Sequence, residues 1–188
     1  VNNAGFAFKA SSSTPFRQQA RPTLQVNFFG TLAVTEAFLP LLRPGGQVVN
    51  VASSSGHLSI IKSPVLRGKF ESSGELGGLD MMGLKKLMEE FVESVEDGSH
   101  QAVGWPNSCY GVSKLGVIAM TRILAAEQRE RGITVTACCP GYCYTDMTSH
   151  RGNRSPDVGA QTPAWLALGG GGKDASGIFF KDKKPVEW

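Results

Sequence analysis

The stretch Ser108-Cys109-Tyr110-Gly111-Val112-Ser113-Lys114 decides how the rest of the chain is read. Tyr110 and Lys114 stand four residues apart at the head of a long apolar segment, so in a helix the phenol and the ammonium share one face. A free tyrosine titrates at about 10 and is a poor proton donor or acceptor at neutral pH. A lysine held close favours the phenolate and brings that hydroxyl toward the working range of acid–base catalysis. The same pair occurs on ordinary helix surfaces, so its company in the chain decides.

Outward from this helix the elements alternate. Tyr110 to about Arg131 carries apolar residues in more than one stripe (Val112, Leu115, Ala119, Ile123; Val117, Ile118, Leu124) and stops at Gly132, a helix covered on several sides. Ile133 to Cys138 is the next strand, broken by Cys139-Pro140-Gly141 and followed by a loop with Tyr142, Tyr144 and Thr145. Ala160 to Leu168 reads as a short helix and Ile178-Phe179-Phe180 as a last strand. Upstream, Gln47 to Val51 is a short β-branched run, as in a strand buried on both faces, and it discharges into Ala52-Ser53-Ser54-Ser55-Gly56-His57. Small hydroxyl residues at the carboxyl end of a parallel strand are where open α/β sheets keep their chemistry. Strand, helix, strand, helix, strand predicts an α/β fold with a parallel sheet.

From about Phe16 to Leu42 the pattern is helical, with Leu24, Phe28, Leu32, Phe38 and Leu42 in the apolar series and a stop at Arg43-Pro44-Gly45-Gly46. Asn27 and Gly30 both cost helix propensity within one turn, which demands a packing or a chemical reason. Residues 58–106 read as an insert containing one amphipathic helix, with Leu84, Leu87, Met88, Phe91 and Val95 opposite Glu89, Glu90, Glu93 and Glu96.

The bulk numbers narrow the class. The 188 residues suit one domain; 41% are hydrophobic, 19% charged, and the net charge is +3. That small excess implies no nucleic-acid partner. The apolar runs look too short and too interrupted to span a bilayer. Cys109, Cys138, Cys139 and Cys143 crowd into two stretches rather than stapling loops, which points to a reducing, cytoplasmic setting. Their spacing lacks paired CxxC and a nearby His, so no metal site is expected.

Asn27, Ser53, Tyr110 and Lys114, in that order and on those elements, resemble the catalytic tetrad of the short-chain dehydrogenase/reductase family. Asn2-Asn3-Ala4-Gly5 is similar to the family's NNAG turn, Val26-Asn27-Phe28-Phe29-Gly30 to its helix signature, and Pro140-Gly141 to its PG loop. Within the family the chain most resembles the NADPH-dependent carbonyl reductases, through Trp105-Pro106, Cys138-Cys139-Pro140-Gly141, Val186-Glu187-Trp188 and the long gap from Ser53 to Tyr110. The resemblance implies the C-terminal part of a Rossmann-type doubly wound parallel sheet in a single partial domain. It also implies reduction of ketones, aldehydes or quinones by hydride from NADPH. Ser53 would hold the substrate carbonyl, Tyr110 would protonate it, and Lys114 would lower the tyrosine pKa and bind the nicotinamide ribose. Asn27 would hold a water that relays protons to Lys114. Asn3, Ala4, Gly5, Pro140, Gly141, Cys143 and Thr145 would meet the cofactor, together with Tyr110 and Lys114.

The glycine-rich phosphate loop that opens the family's fold does not occur in these residues, and the chain begins where a strand is ending. A fragment, inactive by itself, is therefore expected. With the insert laid over the helices through which relatives dimerise, a monomer is expected. Trp105 and Tyr142 read either as substrate-pocket walls or as packing aromatics. Cys139 reads either as a reactive thiol or as an inert buried one. His57 beside a serine run suggests a serine hydrolase, but no G-x-S-x-G elbow accompanies it. The rival to an enzyme is a catalytically idle relative that acts as a binding or scaffold protein.

Overall fold

The β-branched run Gln47–Val51 forms strand β1, the first in the sheet order β1-β2-β3-β4 of the computed structural model, which describes residues 1–9 and 11–188. β1 pairs in parallel with β2 (Thr134–Cys139), and β2 in parallel with β3 (Phe179–Lys181). Every residue of β2 is buried, as expected of a parallel strand covered on both faces. On the other side of β1, Asn2 makes a parallel bridge to Asn50: its N–H donates to the Val49 carbonyl and its carbonyl accepts from Val51. A short antiparallel strand, β4 (Lys184–Pro185), closes the far edge. No hairpin signal announces β4, because its two-residue turn uses Asp182 and Lys183 at φ of 51° and 60° where Asn-Gly is the usual choice.

The first helical region holds together but is not uniform. A 3₁₀ turn (Phe16–Gln18) leads into α1 (Ala20–Leu24), then a π-helical turn (Gln25–Gly30), α2 (Thr31–Phe38) and a closing 3₁₀ turn (Leu39–Leu41). The Asn and Gly that sit badly in an α-helix are both in the wide turn, the kind of local widening that accompanies functional sites. A Cβ at Gly30 would stand 3.1 Å from the Gln25 carbonyl oxygen, tight enough that glycine is favoured there.

The 58–106 segment contributes two helices rather than one. Ser63 caps α3 (Pro64–Glu71), and Asp80 caps α4 (Met81–Asp97) by accepting from the Gly83 N–H at 2.8 Å. Leu84, Leu87, Met88, Phe91 and Val95 are buried, while Glu90, Glu93 and Glu96 stay exposed, as the amphipathic pattern predicts. The segment shares one core with the sheet and is no separate unit. Trp105 belongs to that core: its ring meets Phe70 edge-on at 6.0 Å and Phe91 at 5.2 Å. Its reading as a pocket wall beside the tetrad is therefore corrected. The groove it does border lies between α3 and α4 and includes Lys69, Glu90 and Asp97, none of them near Tyr110 in the chain.

Helix α5 (Cys109–Glu127) runs behind the sheet, its N-terminus capped by Ser108, whose Oγ accepts from the Gly111 N–H at 3.0 Å. All seven residues of its expected apolar stripes are buried. By length and composition Cys109–Glu127 and Phe16–Leu41 are apolar enough to cross a membrane, contrary to the expectation from interrupted runs. For α5 the reason is burial: 83% of its most apolar window lies inside the fold. α6 (Pro156–Ala167) begins earlier than periodicity suggested, at a Ser155 cap followed by Pro156.

A buried polar chain ties these layers together. Asn2 Nδ2 donates to Thr35 Oγ1 (2.9 Å) and Asn50 Oδ1 (2.8 Å), and Asn50 Nδ2 donates to Thr121 Oγ1 (2.9 Å). Thr35 and Thr121 return their protons to carbonyls of their own helices, Thr31 and Val117. Every member has a partner, so the network fixes α2, β1 and α5 in one register without an unpaired group.

Candidate active site

The site is built where β1 and β2 end. Ala52 N–H still donates to Cys138 O, so the two chains leave the sheet side by side, β1 into Ser53 and β2 into Pro140. Ser53 heads a 3₁₀ turn (Ser54–Gly56), its Oγ accepting from the Ser55 N–H at 3.1 Å. Gly56 lets this turn press on α5. A Cβ there would stand 2.5 Å from Leu115 N and 2.6 Å from the Lys114 carbonyl carbon, an overlap with backbone that cannot yield. That close approach sets the Ser53 hydroxyl near enough to the Tyr110 phenol to act on its ionisation.

Tyr110 and Lys114 lie one turn apart on α5, with Lys114 Nζ 5.7 Å from the centre of the Tyr110 ring. The ammonium is 4% exposed and donates to the Val51 carbonyl at 2.8 Å. Among the described residues no carboxylate pairs with it. Burial accordingly lowers its pKa from 10.5 to about 8, with Cys138 and Cys139 acting weakly the other way. Tyr110 moves opposite to expectation. Burial raises its pKa above 10, the Ser53 hydrogen bond offsets part of the rise, and Lys114 is not among the causes. The expectation that Lys114 depresses the tyrosine is corrected: the ammonium is committed to Val51 and lies over the ring, so desolvation of the phenolate dominates.

Asn27 is fully buried, and its side chain has three protein partners. Its Oδ1 accepts from the Phe6 N–H at 2.7 Å, and its Nδ2 donates to Phe6 O (2.8 Å) and Ser113 Oγ (3.0 Å). Both amide hydrogens are spent, so the side chain clamps the segment after Gly5 to α5. Ser113 passes the bond on to the Tyr110 carbonyl at 2.8 Å. Ser113 and Gly56 were not singled out from the sequence; the one signal for Ser113 is a hydroxyl directly beside Lys114 in a mostly apolar helix.

Gly5 faces this cluster: a Cβ there would lie 3.6 Å from Lys114 Nζ and 3.7 Å from Asn27 Oδ1. That is ordinary contact, so packing within the protein does not by itself demand glycine there. Asn3 and Ala4 are exposed on the same turn. Pro140, Gly141, Cys143 and Thr145 are half-buried in the loop beside Ser53, and Tyr142 is exposed on it. All four cysteines are free. The Cys139 thiol accepts from the Gly141 N–H at 3.4 Å, and burial pushes Cys109 and Cys138 up to about 12. His57 packs edge-on to Phe179 at 6.2 Å, with no carboxylate paired to it among the described residues. Among the described residues no group of three or more His, Cys, Asp or Glu is gathered for a metal.

A hydroxyl, a phenol and a buried ammonium at the carboxyl end of a parallel strand can hold and protonate a carbonyl oxygen. The family model for short chain dehydrogenases matches residues 1–65 and 93–155, and the chain belongs to that family. The residues between, 66–92, fall within the segment read above as an insert. The chain is 45% identical over its whole length to carbonyl reductase [NADPH] 1 of Rattus norvegicus and 43% identical to that of Homo sapiens, spanning 69% of each protein. Among solved structures it resembles salutaridine reductase from Papaver somniferum, with a TM-score of 0.78 and 27% identity over 90% of this chain and 56% of that one.

Proposed function

We propose that the protein reduces carbonyl compounds (ketones, aldehydes or quinones) with NADPH as the hydride source. The observation that carries this reading is the nearness of the Ser53 hydroxyl to the Tyr110 phenol, with Lys114 one helical turn away, where the parallel strands end. NADPH, when bound, supplies the hydride. Lys114, whose Nζ faces the Gly5 turn, would hold its nicotinamide ribose, and Asn3, Ala4, Gly5, Pro140, Gly141, Cys143 and Thr145 would meet the same cofactor.

The Ser53 hydroxyl orients the substrate oxygen, and the Tyr110 phenol gives that oxygen its proton as the carbonyl carbon is reduced. A tyrosine kept protonated by burial suits a donor at neutral pH. Lys114 holds the ribose and keeps positive charge beside the phenol. Asn27 and Ser113 set the position of Tyr110 and of the Gly5 turn. Tyr142, exposed on the adjoining loop, would border the substrate. Free cysteines suit a reducing, cytoplasmic setting.

The test is NADPH consumption by the natively produced protein against a panel of aldehydes, ketones and quinones, with alcohol formed in equal amount. Stable NADPH across the panel would favour the scaffold reading. Residues 1–188 expressed alone, without a glycine-rich phosphate loop, are expected to stay inactive in the same assay.

We further propose a monomer. α4 buries Leu84, Leu87, Met88, Phe91 and Val92 in the core shared with α1 and α5, with Arg21–Glu96 and Lys85–Glu36 ion pairs at the margin. Those exposed pairs add little, so apolar burial holds the cover in place. Light scattering is expected to give the mass of one chain; a stable dimer would refute it.

A further inference from the structure

The loop from Gly141 to Arg154 leaves the sheet beside Ser53 and comes back on itself. Cys143 and Arg154 form a parallel bridge, Tyr144 N–H donates to Arg154 O at 2.8 Å, and Arg154 N–H donates to Tyr142 O at 3.3 Å. The Arg154 side chain then turns under the start of the loop. Its Nη1 donates to Pro140 O at 3.4 Å and to Asp182 Oδ1 at 2.6 Å. Gly141, at φ +82°, packs against the guanidinium: a Cβ there would stand 2.6 Å from both Cζ and Nε. A planar cation on a bare Cα is a fit that a side chain at 141 would destroy.

Asp182 is itself fixed. It occupies the left-handed turn between β3 and β4, and the next residue, Lys183, donates its N–H to Thr162 Oγ1 of α6 at 3.3 Å. The Arg154 side chain is 25% exposed, so its pair with Asp182 is screened less than a fully exposed one. In keeping with this, Arg154 holds the Asp182 carboxyl below the ordinary carboxylate range.

We propose that Arg154 is a positioning residue, a latch that ties the Pro140–Gly141 turn to Asp182 on the rigid β3–β4 hairpin and so holds the 141–154 loop against the site. This rests on the reading that the loop borders cofactor and substrate. A latch of this kind acts on binding of both partners of the reaction. Its loss therefore raises KM and leaves kcat nearly unchanged, the signature of uniform binding.

Asp182→Asn is the test variant, because asparagine suits the left-handed turn and removes only the charge. KM for NADPH and for the carbonyl is expected to rise about fivefold, with kcat within about twofold. Trypsin cleavage after Arg151, a site that every variant keeps, is expected to quicken by a similar factor. Arg154→Ala should do the same, and the double variant should be no worse than Arg154→Ala, since the two residues act through one contact. Unchanged KM and cleavage in both single variants, or effects that multiply in the double, would overturn the latch. The cleavage arm is read without turnover. A protein with no reductase activity but a charge-dependent cleavage rate would thus keep the latch and lose the enzymatic reading.

Discussion

Tyr110→Phe is expected to lower the rate of carbonyl reduction by ~10²–10⁴-fold, the usual worth of a positioned proton donor. The substitution removes one oxygen and little else. The ring keeps its place over which Lys114 Nζ lies, and the Ser113 bond to the Tyr110 carbonyl is untouched. What would be lost is the proton proposed for the substrate oxygen that Ser53 orients. Burial keeps that proton on the phenol at neutral pH, which suits the residue to the role of acid proposed for it. NADPH affinity should change by no more than about fivefold, the worth of one hydrogen bond. The split between kcat and cofactor affinity separates this role from a structural one, because a misfolded variant would lose both. Turnover near that of the natural protein would remove Tyr110 from the mechanism.

The elements of this site were legible in proportion to how local their cause is. Tyr110 and Lys114 could be paired from sequence because helical geometry alone puts residues four apart on one face. Ser53 followed from the end of a β-branched run. Asn27 was legible as an anomaly but its partners were not: Phe6 and Ser113 lie far off in the chain, and only the folded π-helical turn brings them to the amide. Gly56 matters through the space that it leaves for α5, which no pattern in Ser53-Ser54-Ser55-Gly56 announces. Trp105 read equally well as wall or core until Phe70 and Phe91 were seen around it. The direction of the Tyr110 shift went against expectation for the same reason. Proximity of a lysine is a sequence-level fact, whereas the desolvation that outweighs it belongs to the packed interior.

Lys114→Met is expected to abolish activity and at the same time to stabilise the fold. Among the described residues the buried ammonium has no carboxylate partner, and a fall from 10.5 to about 8 sets the scale of what that burial costs. At about 1.4 kcal/mol per pKa unit the penalty is ~3 kcal/mol. Its sign follows from proton counting. Between pH 8 and 10.5 the unfolded chain binds the proton more readily than the folded one, so stability rises with pH across that window. Below about 8 the full penalty is present, and above 10.5 it is gone. Methionine has similar length, no charge and a flexible stem that fills the same slot. It leaves the Val51 carbonyl without its donor, which costs ~1 kcal/mol. The net gain at pH 7 is then ~2 kcal/mol, or about 4–8 °C in Tm for a chain of this size. The difference in melting temperature between variant and natural protein should shrink as pH is raised from 8 toward 10.5, because the natural protein sheds its penalty there. A variant less stable than the natural protein at pH 7, or a gap that ignores pH, would mean that the ammonium is better compensated than its contacts suggest. A charge kept in the interior at such expense fits the role proposed for Lys114 beside Tyr110, with stability given up to keep it.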